Sequence, residues 1–405
     1  MTPENGGVGG RSAYGLIRQV PGFRALWCSR AVSHVGGSLS TVALIVYVAE
    51  QVGSGRAVAL LLLVGELLPT LFSPVAGALA DRLPPRRLLV TCELAQGAVL
   101  AVVAATVPPL PVLLALIAVK TLFAVLLEPA ARAAVPRLVP DAELASANAA
   151  LGLGTHGLDV AGPLLAAALL PALGVRGVLW VDVATFGLSA VLLAGLPRLS
   201  TVERPVAAPD LWTDTVDGLR YLARHRTVRV LALGFWAVVL CTALDDVVLV
   251  FLARDTYAAG NLAISLLYAG AGLGLLLGFL LLSRIGHRYA AAGLFVAGLA
   301  ISSAGNLATG LAGAVVLAVA CQAIRGLGLS MVDTGLPAEV ARIVPAHLRG
   351  RAFAAIYGGV SLAAVLSYVV GGLVLDVASP PVVLVVAGGL GVLAAVATGA
   401  AVRLP

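Results

Sequence analysis

The residues of this chain with the most chemistry in them stand inside long apolar runs: Arg30, Glu66, Lys120, His156, Asp159, Asp245, Asp246 and Arg325. A charge at the centre of a membrane helix costs about 2.5–3.5 kcal/mol on insertion scales, so each needs a function or a partner. Glu66, Lys120, His156 and Asp159 lie roughly ten to fifteen residues from the ends of their runs, which is middle depth for a helix rising about 1.5 Å per residue. His156 and Asp159 are three positions apart and Pro163 follows four later, so the three share a helix face. Burial favours a proton on a carboxyl, and a neighbouring lysine favours the anion. A group held between those pulls can release and regain a proton, and Glu66 or Asp159, with Lys120 as counter-charge, fits that description. The alternative is a static ion pair tying the three helices together. Asp245 and Asp246 are adjacent and point about 100° apart on a helix, so at most one faces a cavity squarely. An aspartate paired with Arg325 is either a gate or reader of substrate charge, or structural packing. Arg30 either snorkels to the surface or meets an anionic substrate.

These positions need helices long enough to cross a bilayer. Of 405 residues, 60% are hydrophobic and 11% charged, with a mean hydropathy of +1.03, whereas soluble domains carry about 25% charged residues. Apolar segments run near 23–49, 57–80, 87–107, 111–133, 145–170 and 177–196, then near 229–252, 262–283, 290–311, 313–336, 351–376 and 380–402. Each suits one helix of about 20 residues. The expectation is an all-α polytopic membrane protein of twelve transmembrane helices. Its parts are a tail (1–22), a six-helix bundle (23–196), a charged central loop (197–228) and a second six-helix bundle (229–405). The glycine-rich tail has no apolar core of a signal peptide and reads as flexible. Within the central loop, Trp212–Arg224 has the pattern of an amphipathic surface helix.

Twenty of the 26 basic residues fall on one side when alternate loops are sorted, and three, Arg56, Arg176 and Arg254, on the other. The positive-inside rule then puts the tail, the central loop and both termini in the cytosol. All but one of the basic residues are arginine, which with the alanine and glycine content suggests a GC-rich, bacterial coding sequence and hence a bacterial cytoplasmic (inner) membrane. The basic excess is accounted for by loops, without nucleic acid. Arg137-Leu-Val-Pro140 and Arg342-Ile-Val-Pro345 lie 205 positions apart, in corresponding loops of the two bundles. Parallel six-helix repeats place a substrate site between them near the midplane. No Gly-x-x-x-x-Gly-Lys phosphate loop, metalloprotease His-Glu-x-x-His or paired-cysteine zinc spacing occurs, which argues against ATP-driven pumping, enzymatic chemistry, a resident metal and any other cofactor.

The segment Gly77-Ala-Leu-Ala-Asp81-Arg82-Leu-Pro-Pro-Arg86-Arg87 closes the second span. Gly77 suits close helix approach, and the arginines suit anchoring at the inner surface. The segment resembles the signature loop of the major facilitator superfamily, with Pro84 where that family has glycine. Glu128–Pro140, Leu144–Asn148 and His347–Arg351 resemble the drug:proton antiporter branch that contains macrolide-efflux and siderophore (enterobactin-type) exporters. Gly162-Pro163 resembles the branch's antiporter motif, although Leu158 and Ala166 replace its flanking glycines. Gly36-Gly37 stands where the branch has an acidic residue. The resemblance implies two six-helix halves, alternating access, a monomer, and proton-driven export of a small amphiphilic organic compound such as an antibiotic or siderophore. It also implies that Asp81 locks the cytosolic side, with Arg132 a candidate partner. Import by proton symport, and a transport-inactive receptor or lipid-handling relative, are the rival readings. In the superfamily, spans 3, 6, 9 and 12 are peripheral, and Glu93 and Asp182, the charges on spans 3 and 6, are expected away from mid-span.

Overall fold

The computed structural model describes residues 13–140, 143–155, 161–197, 219–345 and 348–403, and their regular elements are helices. In a bilayer, a helix satisfies its own backbone, which is why near-continuous apolar sequence takes this form. A short helix, Ala13–Gln19, precedes α1 (Pro21–Val52). The tail therefore becomes helical earlier than expected. Leu16 is buried with Phe23 and Leu26, an apolar contact that the glycine-rich composition around it conceals. Next come α2 (Gly55–Arg82), α3 (Pro85–Thr106) and α4 (Leu110–Ala134). Leu144–Thr155 and Ala161–Ala194 carry the following two spans. Gly174 has φ 63° and ψ 179°, and its left-handed φ interrupts the longer of these helices. We therefore take Leu144–Thr155 with 161–173 as α5, and 175–194 as α6.

α7 runs from Arg226 to Thr242, breaks at Ala243 and Leu244, resumes over Asp245–Phe251 and ends in a π turn at Leu252–Thr256. The remaining helices are α8 (Asn261–Ile285), α9 (Ala291–Leu311), α10 (Val315–Ile343), α11 (Arg349–Val374) and α12 (Pro380–Arg403). Among the described residues, eleven helices are long and apolar enough to cross a membrane, and the division at Gly174 makes twelve spans. Most of the expected surface helix, from Trp212 to residue 218, lies outside the described residues.

Packing differs between the two faces. At the face carrying the chain ends, each half closes on its own apolar core. One is built from residues 16–196, including Leu89, Ala131 and Leu193; the other from residues 222–402, including Leu231, Leu336 and Ile356. At the opposite face a single core joins both halves, with Val46, Val58 and Leu170 meeting Val248, Ile264 and Leu384. Polar contacts reinforce that seam. Arg254 donates to the Ala49 carbonyl at 2.6 Å, Asn261 donates to Glu50 at 2.7 Å, and Arg56 pairs with Asp376. Among the described residues, the molecule is thus sealed at one face and parted at the other.

Both halves carry one matching tie. The Trp27 indole of α1 donates to the Ala150 carbonyl of α5 at 2.7 Å. The Trp236 indole of α7 donates to the Ile356 carbonyl of α11 at 2.8 Å.

Candidate functional site

A cavity of about 590 Å³ lies between the halves, below the shared core. α1 supplies much of one wall, with Arg30, Ser33, His34, Ser38 and Thr41 along it, and α4 adds Lys120. Asp246 of α7 and Tyr268 of α8 come from the facing wall. One wall is therefore basic and rich in hydroxyls, and the other presents a carboxylate. A concave site of this size with few convergent polar groups suits a small organic molecule.

The double aspartate sits directly after the break in α7. The freed Leu244 N–H donates to Ser367 Oγ of α11 at 2.8 Å, which accounts for one donor that the interrupted helix leaves over. The two carboxylates then part company. Asp245 is fully buried, with Arg325 Nε 2.6 Å from its Oδ2. The two meet as opposite charges off the line of a regular hydrogen bond. Asp246 turns to the cavity; its Oδ2 accepts from Tyr368 Oη at 3.1 Å, and its carbonyl accepts from Tyr268 Oη at 2.5 Å. Glu66, half-buried on α2, lies within electrostatic range of Asp246 across the seam.

In the other half, the charges take partners that the sequence did not indicate. The Lys120 ammonium lies 5.5 Å from the Phe186 ring centroid, and among the described residues its charge acts on the Asp182 carboxylate of α6. His156 and Asp159 lie outside the described residues. Asp182 is fully buried, its Oδ2 accepting from Ser40 at 2.5 Å and its Oδ1 from Thr185 at 2.9 Å. Glu93 of α3 is also fully buried. Its Oε2 accepts from Ser33 at 2.9 Å, and the Ser189 hydroxyl also lies beside its carboxylate.

Both residues were expected away from mid-span, where a charge matters less. Depth measured from the ends of their own helices misleads here. They pack on the middle of α1, a 32-residue helix whose residues 33–40 lie near its centre. The signal available in the sequence was a lone carboxylate in each of two otherwise apolar helices, with spaced serines on α1.

Gly36 makes the Asp182 contact possible. A Cβ there would lie 2.3 Å from Asp182 Oδ1 and 2.1 Å from Thr185 Oγ1. At Gly162 of α5, a Cβ would fall 2.4 Å from Ser38 Cβ, so this glycine brings α5 hard against α1, and Pro163 beside it reaches the cavity wall.

The halves correspond around these charges. Lys120 on α4 and Arg325 on α10 are 205 positions apart, the spacing of the Arg137 and Arg342 loops. Trp27 and Trp236 are 209 apart, and the same step carries Gly36-Gly37 of α1 to Asp245-Asp246 of α7. In one half, the carboxylate facing the basic residue grows from α7. In the other, Asp182 of α6 occupies the space that a side chain at position 36 would take.

The signature-loop residues are more dispersed than expected. Gly77 has open space where a Cβ would be, so it brings no neighbouring helix close; the end of α2 borders the parted face. Arg132 pairs with Glu128 at 2.9 Å, one turn back on α4, and the Asp81 side chain lies outside the described residues. Glu128 also meets Arg30 of α1 at 3.3 Å. Arg86 donates to the Ala194 carbonyl at the end of α6, while Arg82 and Arg87 are exposed.

Comparison with known proteins agrees with this architecture. The chain is 27% identical over 371 residues to the uncharacterized MFS-type transporter YfiS of Bacillus subtilis (strain 168), covering 89% of this chain and 88% of that one. It is 25% identical over 370 residues to macrolide efflux protein A of Streptococcus pyogenes, covering 87% and 89%. Among solved structures, the nucleoside transporter NupG (D323A mutant) superposes with a TM-score of 0.78 at 13% identity, over 94% of this chain and 100% of that one. A bacterial homologue of the iron transporter ferroportin in an inward-facing state gives 0.71 at 15% identity, over 94% and 98%. Matches to the family described as Major Facilitator Superfamily cover residues 26–253 and 237–405, so this chain belongs to that family of membrane transporters.

Proposed function

We propose that the chain is a proton-coupled exporter of a small amphiphilic organic compound such as an antibiotic, working by alternating access as a monomer in the bacterial inner membrane. The observation that carries this reading is the cavity. It is sealed by a core shared between the halves, parted at the face of the chain ends, and walled by titratable groups from both halves. The positive-inside count puts that parted face in the cytosol, so the described state is inward-open and ready to load from inside the cell. The 25% identity to a macrolide efflux protein favours export of a bulky organic molecule. Arg30, His34 and Lys120 on one wall and Asp246 on the other would orient a substrate with separated polar groups, and the proton gradient would drive the cycle without a cofactor.

The test is accumulation of labelled erythromycin and other lipophilic antibiotics in an efflux-deficient bacterium expressing the chain. Lower accumulation that a protonophore reverses is the expected result. Higher accumulation would mean import, and no effect on any compound despite membrane expression would count against antibiotic export.

A further inference from the structure

The mid-membrane carboxylates that face the cavity or the seam, Asp246 and Glu66, are not the most deeply held ones in the molecule. Asp182 and Glu93 lie one layer behind the cavity wall, against the helix that forms most of it. Asp182 in particular combines three features. Its carboxylate receives hydrogen bonds from Ser40 on α1 and Thr185 on α6. It fills the notch left by Gly36, so α1 is seated on it. And Lys120 on the cavity wall, over the ring of Phe186 one turn along α6, lies within electrostatic range of it.

We propose that Asp182 is the residue that binds and releases the coupling proton, and that it acts on the substrate cavity through Lys120 and α1. This rests on the proton-coupled reading above. The step is simple to balance. A proton from cavity water adds to one oxygen of the Asp182 carboxylate, and the acid becomes neutral. Two things change at once. Lys120 loses a nearby anion, so its charge acts more strongly on the cavity. The protonated oxygen turns from acceptor to donor, so the hydroxyl bonded to it, Ser40 or Thr185, must reorient or let go. Because Ser40 and Gly36 belong to α1, the proton loosens the seat of the helix that carries Arg30, His34 and Thr41 along the cavity. Deprotonation restores the seat.

The matching position in the other half explains why the task falls to Asp182. Arg325 stays charged at any pH a protein experiences, and it holds Asp245 as a permanent buried pair. Lysine is a compact charge on a flexible stem, and two hydroxyls share the carboxylate with it, so this site can change state without leaving a buried charge stranded. The charged and titratable groups around Asp182 are Lys120 from α4, Glu93 from α3, whose charge also acts on it, and Arg30 and His34 along α1. Arg30 is engaged with Glu128. Glu93, which also takes a hydrogen bond from α1 through Ser33, is the next station for the proton on the way to the parted face.

The experiment uses the full chain in nanodiscs, with spin labels on exposed positions 87 and 284, one on each half at the parted face. The distance between them is followed against pH, alongside protonophore-sensitive efflux in cells. Wild type is expected to shift its distance distribution with pH. Asp182→Asn should remove that shift and lower protonophore-sensitive efflux by about tenfold. Asp182→Glu should restore part of both, while Glu66→Gln keeps the pH dependence of the distance. Should Asp182→Asn not fold, Ser40→Ala reads the same site. Removing one donor to the carboxylate should move the midpoint to higher pH. An unchanged midpoint in Asp182→Asn, or in Ser40→Ala where that is the variant read, would overturn the proposal while leaving proton coupling intact. A wild type with neither a pH-dependent distance nor protonophore-sensitive efflux would overturn both.

Discussion

The two halves answer the same problem, a basic side chain held inside the molecule at one level of the fourth helix of each repeat, in opposite ways. The second half uses arginine and places its carboxylate on the adjoining cavity helix, in contact at 2.6 Å. The first uses lysine, leaves the equivalent position of α1 as glycine and brings the carboxylate in from α6. A buried ion pair made from a permanently charged arginine favours a fixed structure. A carboxylate shared among a lysine and two hydroxyls favours one that can change. The comparison teaches that a duplicated framework can keep one copy as a hinge post and free the other for work.

The largest effect should come from breaking the fixed copy. Arg325→Ala strands the Asp245 carboxylate, and removal of one partner of a buried pair costs about 3–5 kcal/mol. A fall in thermal unfolding temperature in detergent far larger than that of Lys120→Ala is expected; equal losses would mean that the halves do not differ in this way. Next comes the notch. Gly36→Ala forces a methyl onto Asp182 and Thr185, and overpacking of this kind costs about 1–3 kcal/mol. Gly37→Ala should be nearly silent, because nothing lies within 4 Å of a Cβ there. A sharper form moves the carboxylate to where the other half keeps it. The double variant Gly36→Asp with Asp182→Ala should melt above Gly36→Asp alone, and failure of that rescue would separate the two sites. The smallest effect belongs to the sealed face. Arg56 and Asp376 are an exposed pair, worth about 0–1 kcal/mol, so Arg56→Ala should shift the distance distribution between the halves only slightly toward an opened seam, and salt should mimic it.

How much of this could be read from the chain depends on the scale of the signal. Twelve spans followed from composition and length, and the repeat from two short loops. The charges of the second half were legible because Arg325 stands in the middle of its span and Asp245-Asp246 is a doubled acid inside an apolar run. Those of the first half were not. The carboxylate of Asp182 reaches its partner Ser40 across 142 positions of chain, and no local pattern records which face of α6 meets α1. Gly77 failed for the converse reason. A glycine permits a close approach but does not supply the neighbour, and at the parted face there is none. The Gly174 break was visible only as the gap between the apolar segments ending near 170 and beginning near 177, where a single left-handed residue suffices.

The paired tryptophans have a use of their own. Each indole N–H is bonded to a backbone carbonyl of the helix that its own helix must travel with. Indole emission responds to the polarity and hydrogen bonding around the ring, so Trp27 and Trp236 make each half optically legible. With Trp180 and Trp212 replaced by phenylalanine, one emitter would remain per repeat. Removing Trp27 or Trp236 in turn would then assign a spectral change on adding protons or a ligand to one repeat, without attaching a label to the molecule.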